Sequence, residues 1–150
     1  MTKERRAVNI LMVEDNEGDI LLTQDAFEDS GMKHNLTVAM DGDVAMDILY
    51  KRKEYQHAAT PDIILLDLNL PKRDGHEILE YIKNDEVLHM IPVIIMTSSS
   101  AELDIHKSYH HHANCYIVKP VDAESFIDVV KQIENFWVDI VFLPEQRKHG

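Results

Sequence analysis

Five short apolar runs alternate along the chain with longer stretches in which apolar residues recur at helical spacing. The runs are Val8 to Val13, Leu36 to Met40, Asp62 to Leu66, Val93 to Met96 and Cys115 to Val118. Runs of this length without regular polar alternation are typical of parallel strands that are buried on both faces. Because helical stretches separate the runs, the pattern predicts an α/β domain with a doubly wound sheet.

The helical stretches begin and end at ordinary capping and breaking signals. They are Asp19 to Ser30, Asp43 to Tyr50, Glu77 to Lys83, Ser99 to Ala113 and a last helix from Asp122. Leu21 in the first helix and Ile127 in the last belong to apolar stripes that are expected to be buried. Met40 is also expected among the core positions.

Composition narrows the classes of function. The 150 residues fit one domain, and the formal net charge of -12 opposes binding to nucleic acid or to anionic membranes. No stretch reaches the roughly 20 apolar residues of a membrane span. Cys115 is the only cysteine, which excludes an intrachain disulfide, and Met1 is followed by charged residues. We therefore expect a soluble, cytoplasmic protein without an output domain.

Polar residues follow four of the apolar runs at the point where each run ends. They are Glu14 and Asp15, Asp67, Thr97, and Lys119. Because the carboxyl ends of parallel strands meet at one edge of the sheet, we expect these side chains to converge. Two carboxylates ~5 Å apart repel by roughly 3 kcal/mol at an effective dielectric of ~20, so either a proton or a cation should bind.

Mg²⁺ suits such a cluster, because it prefers oxygen ligands and is usually bound by one or two carboxylates together with a phosphate. Lys119 would add a compact positive charge from another strand end. A site with a metal ion and a lysine favours an anionic group between them, and a carboxylate can itself become phosphorylated. Asp67, on the central strand, is the natural acceptor.

At these residues the chain resembles the receiver domains of bacterial two-component response regulators. The matching residues are the acidic pair Glu14-Asp15, the spacing of Asp67, Asn69, Pro71 and Gly75 (D-x-x-x-P-x-x-x-G), Thr97, Tyr116 and Lys119-Pro120. The resemblance covers Val8 to about Trp137. It implies a flavodoxin-like (βα)5 fold with strand order 2-1-3-4-5, an arm at 1–7, a receiver domain at 8–137 and an apolar extension with a polar tail at 138–150.

The resemblance also implies a role for each acidic residue. Asp67 would accept a phosphoryl group from a phosphohistidine. Asp15 would ligate Mg²⁺ directly, Glu14 directly or through a water molecule, and Asp67 and the backbone carbonyl of Asn69 would complete the protein ligands. The protein would then be a phosphoacceptor regulator and not an enzyme.

The remaining motif residues would sense the phosphoryl group. Lys119 would pair with it, and the Thr97 hydroxyl would donate a hydrogen bond to one of its oxygens. Tyr116 would rotate inward as Thr97 moves, which would carry the signal to the surface.

Longer segments resemble a narrower group. VEDNEGD, LLDLNLPKRDG, HANCYIVKP and FWVDIVFLP are similar to the stand-alone regulators that are paired with cyanobacterial phytochrome histidine kinases. A phytochrome-like sensor histidine kinase is therefore the implied partner.

The segment from Trp137 to Leu143 is too apolar to remain in water. It either folds back over its own domain or forms a homodimer interface, and the dimer is the hypothesis we favour. The candidate interface residues are Tyr116, Phe136, Trp137, Ile140 and Phe142.

Three other functions are alternatives to a phosphoacceptor regulator. A phosphatase of haloacid-dehalogenase type also uses a strand-end aspartate and Mg²⁺, but it needs a second acid where this chain has Asn69. An FMN carrier would place phosphate where Glu14 and Asp15 would repel it. A receiver fold kept only for binding would be expected to lose acceptor or metal residues.

Each motif residue also has an ordinary structural explanation. Asp15 or Asp19 could cap the first helix, and Lys119 alone could be a solvated lysine. The histidines at 106, 110, 111 and 112 suggest a metal site, but a pH-sensitive surface patch is the more plausible interpretation.

Overall fold

The computed structural model of the chain describes residues 7–70, 72, 74–97, 115–118 and 123–141. For residues 97, 115–118, 123, 125 and 136–141 it describes the backbone alone. The strands are β1 (Val8–Val13), β2 (His34–Ala39), β3 (Ile63–Asp67), β4 (Val93–Thr97) and β5 (Cys115–Val118). The helices are α1 (Glu17–Ser30), α2 (Gly42–Leu49), α3 (Gly75–Asn84) and the C-terminal helix (Ala123–Val141), with 3-10 turns at Lys53–Tyr55 and Leu88–Met90.

The five strands form one parallel sheet in the order β2-β1-β3-β4-β5, which is the order that the resemblance implies. Val13 lies opposite both Ala39 and Leu66, and Asp67 lies opposite Met96. The carboxyl ends of the central strands are therefore level with one another. The predicted helix from Ser99 to Ala113 lies outside the described residues.

Alternate residues of each central strand face opposite sides of the sheet, as the period of two requires. On one side, Leu11 and Val13 of β1 pack in a core with residues of α2 and α3. On the other, Ile10 and Met12 pack with Phe27 of α1 and with the C-terminal helix. Both faces of the sheet are thus covered, which explains the nearly continuous apolar runs. No helix in the described part of the chain is long and apolar enough to span a bilayer.

Three side chains that were expected in the core are exposed, and those predictions were wrong. Leu21 is 59% exposed, because α1 buries the stripe that contains Thr23, Ala26 and Phe27. Ile127 is 39% exposed, since it lies one position from the buried stripe of its helix. Met40 is 46% exposed and follows the last residue of β2.

Several element boundaries also differ from the prediction. β2 begins at His34, because an edge strand with one exposed face accepts polar residues such as Asn35 and Thr37. β3 extends through Asp67, which places the acidic residue on the strand itself. The C-terminal helix continues to Val141, past the last residue that the resemblance covers.

A polar cluster links the ends of α2 and α3. The Asp85 carboxylate accepts hydrogen bonds from the backbone N–H groups of Val87 and Leu88, both at 2.8 Å. Both bonds lower the pKa of Asp85, and the bond from Leu88 has the larger effect. Burial raises the pKa of the Tyr50 hydroxyl, and the nearby Asp85 carboxylate, which accepts its hydrogen bond, raises it further. The Arg52 guanidinium lies 5.0 Å from the centre of the Tyr50 ring.

Candidate functional site

Three carboxylates meet at the carboxyl edge of the sheet. Glu14 and Asp15 directly follow β1, and Asp67 is the last residue of β3. One oxygen from each carboxylate lies within 4.8 Å of the other two. The structure therefore brings together the three acids that the strand-end pattern singled out.

Glu14 is held in a buried position by the backbone around it. Its N–H donates to the carbonyl of Ala39 at 2.9 Å, which continues the pairing of β1 with β2. Its side chain is fully buried, and Oε2 accepts hydrogen bonds from the N–H groups of Asp15 at 3.1 Å and Asn16 at 3.2 Å. These backbone donors offset part of the cost of burying a carboxylate.

Asp67 is 5% exposed and is oriented by the loop that follows it. Its Oδ1 accepts a hydrogen bond from the backbone N–H of Asn69 at 3.0 Å. The N–H of Gly75 donates to the carbonyl of Leu68 at 3.1 Å, which brings the start of α3 back onto the end of β3. A Cβ atom on Gly75 would lie 2.5 Å from the carbonyl oxygen of Asp67 and 2.5 Å from the Cα of Leu68. The loop closes this tightly only because residue 75 is glycine.

The cap of α1 is Asn16, so the alternative in which Asp15 or Asp19 caps this helix was wrong. The Asn16 side chain accepts a hydrogen bond from the N–H of Asp19 at 2.9 Å. An asparagine three residues before an acidic residue is a sequence signal for the start of a helix, so this cap could have been recognised. Asp15 is thereby left at the site and not at the helix end, and its side chain is exposed.

The charges at this edge favour a divalent cation. At a separation of 4.8 Å, two ionised carboxylates repel by about 3 kcal/mol when the effective dielectric is about 20, and by less where one of them is exposed. Ligands of an octahedral Mg²⁺ lie about 2.1 Å from the ion and hence about 3 to 4 Å from one another. Three hard oxygen donors at this spacing fit Mg²⁺ or Mn²⁺.

The other predicted site residues are described in part or not at all. Thr97 ends β4 beside the end of β3, and Tyr116 lies in β5 opposite Ile95. The structure describes only the backbone of both. Lys119, Phe142 and the histidines at 106, 110, 111 and 112 lie outside the described residues, whereas the backbone at Phe136, Trp137 and Ile140 belongs to the C-terminal helix.

Comparison with known proteins agrees with this arrangement. The response regulator receiver domain family matches residues 10–131. The response regulator Rcp1 of Synechocystis sp. is 42% identical over 135 residues, which cover 90% of this chain and 92% of that protein.

Two solved structures are similar in fold as well as in sequence. The phosphorylated cyanobacterial phytochrome response regulator RcpA matches this chain with a TM-score of 0.80 and 45% sequence identity. The match covers 88% of this chain and 94% of RcpA. The Mn²⁺-bound form of Rcp1 has a TM-score of 0.79 and 42% identity, covering 87% and 94%. From its acidic strand ends, its sheet order and these matches, the chain belongs to the response regulator receiver domain family.

Proposed function

We propose that this chain is a single-domain phosphoacceptor in which Asp67 receives a phosphoryl group from a histidine kinase. The observation that carries the proposal is the meeting of Glu14, Asp15 and Asp67 within 4.8 Å at one edge of the sheet. The receiver would span residues 8–137, between the arm at 1–7 and the extension at 138–150, and the helix expected from Ser99 to Ala113 would complete its (βα)5 fold.

Asp67 is suited to act as the nucleophile. Its Oδ1 is held by the N–H of Asn69, so the carboxylate has a defined orientation before the phosphoryl donor arrives. One Asp67 oxygen would form the new bond to phosphorus while the bond between phosphorus and the kinase imidazole breaks. The bonding electrons would leave with the imidazole nitrogen.

Glu14, Asp15, Asp67 and the backbone carbonyl of Asn69 would hold Mg²⁺. When bound, the ion supplies positive charge that neutralises the phosphoryl oxygens. Glu14 would stay fixed by the N–H groups of Asp15 and Asn16, and the exposed Asp15 side chain would adjust to the ion. Among the family members named above, an Rcp1 structure contains Mn²⁺, an ion of similar ligand preference.

Lys119, Thr97 and Tyr116 would convert phosphorylation into a surface change. Lys119 would pair with a phosphoryl oxygen, and the Thr97 hydroxyl would donate to another. Thr97 ends β4, which pairs with β3, and Lys119 follows β5, which pairs with β4, so both would lie at the carboxyl edge where Asp67 ends β3. Tyr116 would then move with Thr97. Lys119→Ala should leave phosphorylation possible but uncouple it from any change in association state.

The donor would be a phytochrome-type sensor kinase. This proposal is supported by RcpA, a cyanobacterial phytochrome response regulator that is 45% identical to this chain over most of its length. A haloacid-dehalogenase-type phosphatase is less well supported, since Asn69 cannot donate the proton that such an enzyme needs at this position. The protein would therefore transmit its signal by protein contact and not by turning over a substrate.

Mass spectrometry of the intact protein tests phosphoacceptance. Incubation with acetyl phosphate and Mg²⁺ should add the mass of one phosphoryl group, and hydroxylamine should remove it. Asp67→Asn should abolish the adduct. Asp74→Asn is the matched control, because Asp74 is an exposed carboxylate that caps α3 and asparagine preserves the cap. Full labelling of the Asp67→Asn protein would contradict the proposal.

We also propose a homodimer that uses Tyr116, Phe136, Trp137, Ile140 and Phe142. The spacing of Trp137 and Ile140 continues the stripe formed by Phe126, Val130 and Ile133, which are buried in the described part of the C-terminal helix. A second copy of the chain would cover the continuation of this stripe. Sedimentation of a chain truncated after Asn135 should show a monomer where the full chain is a dimer. An unchanged dimer would remove the proposed role of the segment.

A further inference from the structure

Lys72 has an unusual backbone conformation and forms an ion pair that reaches across the edge of the sheet. Its φ is +67°, a left-handed value that lysine adopts only at some energetic cost. Its Nζ lies 3.6 Å from Oδ2 of Asp41. Lys72 belongs to the loop between β3 and α3, and Asp41 precedes α2. The pair therefore links the loop after the acceptor aspartate to the start of a different helix.

Asp41 is well suited to hold such a loop. Its side chain is 19% exposed, and its other oxygen, Oδ1, accepts a hydrogen bond from the N–H of Val44 at 2.9 Å. The carboxylate is thus fixed by its role as the cap of α2 before it meets the lysine. Since the acceptor is already ordered, the pair loses less conformational freedom than two mobile side chains would.

The loop that Lys72 joins to α2 is also fixed at its base. The N–H of Asn69 donates to Asp67, and the N–H of Gly75 donates to the carbonyl of Leu68. The ion pair adds an attachment between these two points. Asn69 lies on the segment between the base of the loop and Lys72, three residues before the lysine of the pair.

We propose that Lys72 and Asp41 are a positioning pair that holds the loop carrying Asn69 in the geometry that binds the divalent cation. The inference rests on the proposed function, in which the Asn69 carbonyl is one of the metal ligands. Neither residue of the pair contacts the cation. The pair acts on the position of the loop.

The direction in which metal affinity changes on loss of the Lys72 charge distinguishes positioning of the loop from simple electrostatics. Removing the positive charge of Lys72 makes this edge of the sheet more negative, which by charge alone tightens the binding of a dication. Loss of positioning has the opposite effect. Lys72→Gln should therefore weaken Mn²⁺ binding, although the site becomes more acidic.

The chain offers a closely matched control in Lys53. Its φ is +55°, and its Nζ lies 3.1 Å from Oδ2 of Asp47. Its side chain is 72% exposed and that of Lys72 is 65% exposed. Lys53 belongs to the 3-10 turn that precedes β3, at the opposite edge of the sheet from the carboxylates. Lys53→Gln thus removes the same charge, and the same kind of pair, far from the site.

Electron paramagnetic resonance of free Mn²⁺ in the presence of the full chain measures the affinity without any phosphoryl donor. Lys72→Gln should raise the dissociation constant about two- to fivefold, as expected for an exposed ion pair. Lys72→Arg should restore the affinity of the wild type, and Lys53→Gln should leave it unchanged. In an Asp41→Asn background, which keeps the cap of α2, Lys72→Gln should produce no further weakening.

The outcomes distinguish this inference from the proposed function. Suppose that Asp15→Asn removes the Mn²⁺ site but Lys72→Gln binds Mn²⁺ as tightly as the wild type, or more tightly. That result overturns the positioning pair and leaves the proposed metal site intact. Equal weakening by Lys53→Gln and Lys72→Gln also overturns the positioning pair. If Mn²⁺ binding to the wild type is not reduced by Asp15→Asn, the proposed metal site itself is wrong, and the positioning pair with it.

Discussion

The backbone N–H of Asn69 donates a hydrogen bond to Oδ1 of Asp67 at 3.0 Å, so the backbone two residues further along the chain orients the Asp67 carboxylate. This contact depends on the loop between β3 and α3 returning at once to the end of β3. The side chains and the loop backbone therefore form one structural unit, and substitutions that displace the loop backbone should affect the site even where they do not touch it.

Gly75→Ala should destabilise the protein and weaken divalent-metal binding together. The added Cβ would lie 2.5 Å from backbone atoms of Asp67 and Leu68, so α3 or the loop must move. Overpacking of this kind costs about 1 to 3 kcal/mol of the free energy of unfolding. Urea denaturation and Mn²⁺ titration measure the two effects.

Gly31→Ala is the control for that substitution. Gly31 has a φ of +74° at the end of α1, and a Cβ there would meet nothing within 4 Å. Its replacement should cost about 1 kcal/mol through backbone strain, with metal affinity unchanged. If Gly75→Ala lowers stability as expected but binds metal as the wild type does, the loop does not influence the site. That result would contradict the account.

Asn16→Ala should reduce the free energy of unfolding by about 0.5 to 2 kcal/mol, because α1 loses the side-chain acceptor for the N–H of Asp19. Asn16→Asp should retain the cap, since aspartate accepts the same bond. Thermal denaturation in the absence of metal checks both. If alanine is tolerated as well as aspartate, the capping assignment fails.

Asp15→Asn should stabilise the metal-free protein by about 1 kcal/mol, because it removes one of three mutually repelling carboxylates, and an exposed one. The same substitution should abolish most of the stabilisation by Mg²⁺, which for the wild type at 100 times the dissociation constant is about 2.7 kcal/mol. Melting curves with and without Mg²⁺ separate the two effects.

Asp25→Asn is the matched control, because Asp25 is an exposed carboxylate of α1 outside the cluster. It should change stability by no more than about 0.5 kcal/mol and leave the Mg²⁺ effect intact. Equal responses of Asp15→Asn and Asp25→Asn would mean that net charge, and not the cluster, determines the result.

Stability should depend on pH through Asp85. Its pKa is lowered in the folded protein by the N–H groups of Leu88 and Val87, so the stabilisation it provides is present above the pKa of the unfolded chain. It is lost as the pH falls through the folded value. The difference in stability between the wild type and Asp85→Asn should therefore begin to shrink as the pH falls below about 4, the ordinary Asp pKa, and should continue to shrink at lower pH. A difference that does not change with pH would contradict this role.

The sequence predicted those features that depend on repeated patterns. β1 and β5 have the predicted bounds, and the acids after β1 and at the end of β3 meet because parallel strands end at the same edge. Burial on both faces makes such strands continuous apolar runs, which are easily recognised. The two helix residues Leu21 and Ile127 were predicted wrongly, since an apolar residue beside a buried stripe looks the same in sequence as one within it.

Contacts between distant segments could not be predicted. The pair formed by Lys72 and Asp41 depends on a left-handed backbone at a lysine, for which the sequence carries no signal. Asn16 could have been recognised as the cap, but the neighbouring acids Asp15 and Asp19 competed for that role. Local hydrogen bonding decided among them: Glu14 binds the N–H groups of Asp15 and Asn16, and Asn16 binds that of Asp19.

The central claim is that Asp67 carries the phosphoryl group, and chemical trapping tests it most directly. Protein treated with acetyl phosphate and Mg²⁺ is reduced with borohydride, which converts an aspartyl phosphate to the corresponding alcohol, and the modified peptide is located by tandem mass spectrometry. We predict a single reduced residue, at Asp67, that is absent when Mg²⁺ is chelated. Reduction at Asp15 or at another carboxylate, with Asp67 unmodified, would contradict the account.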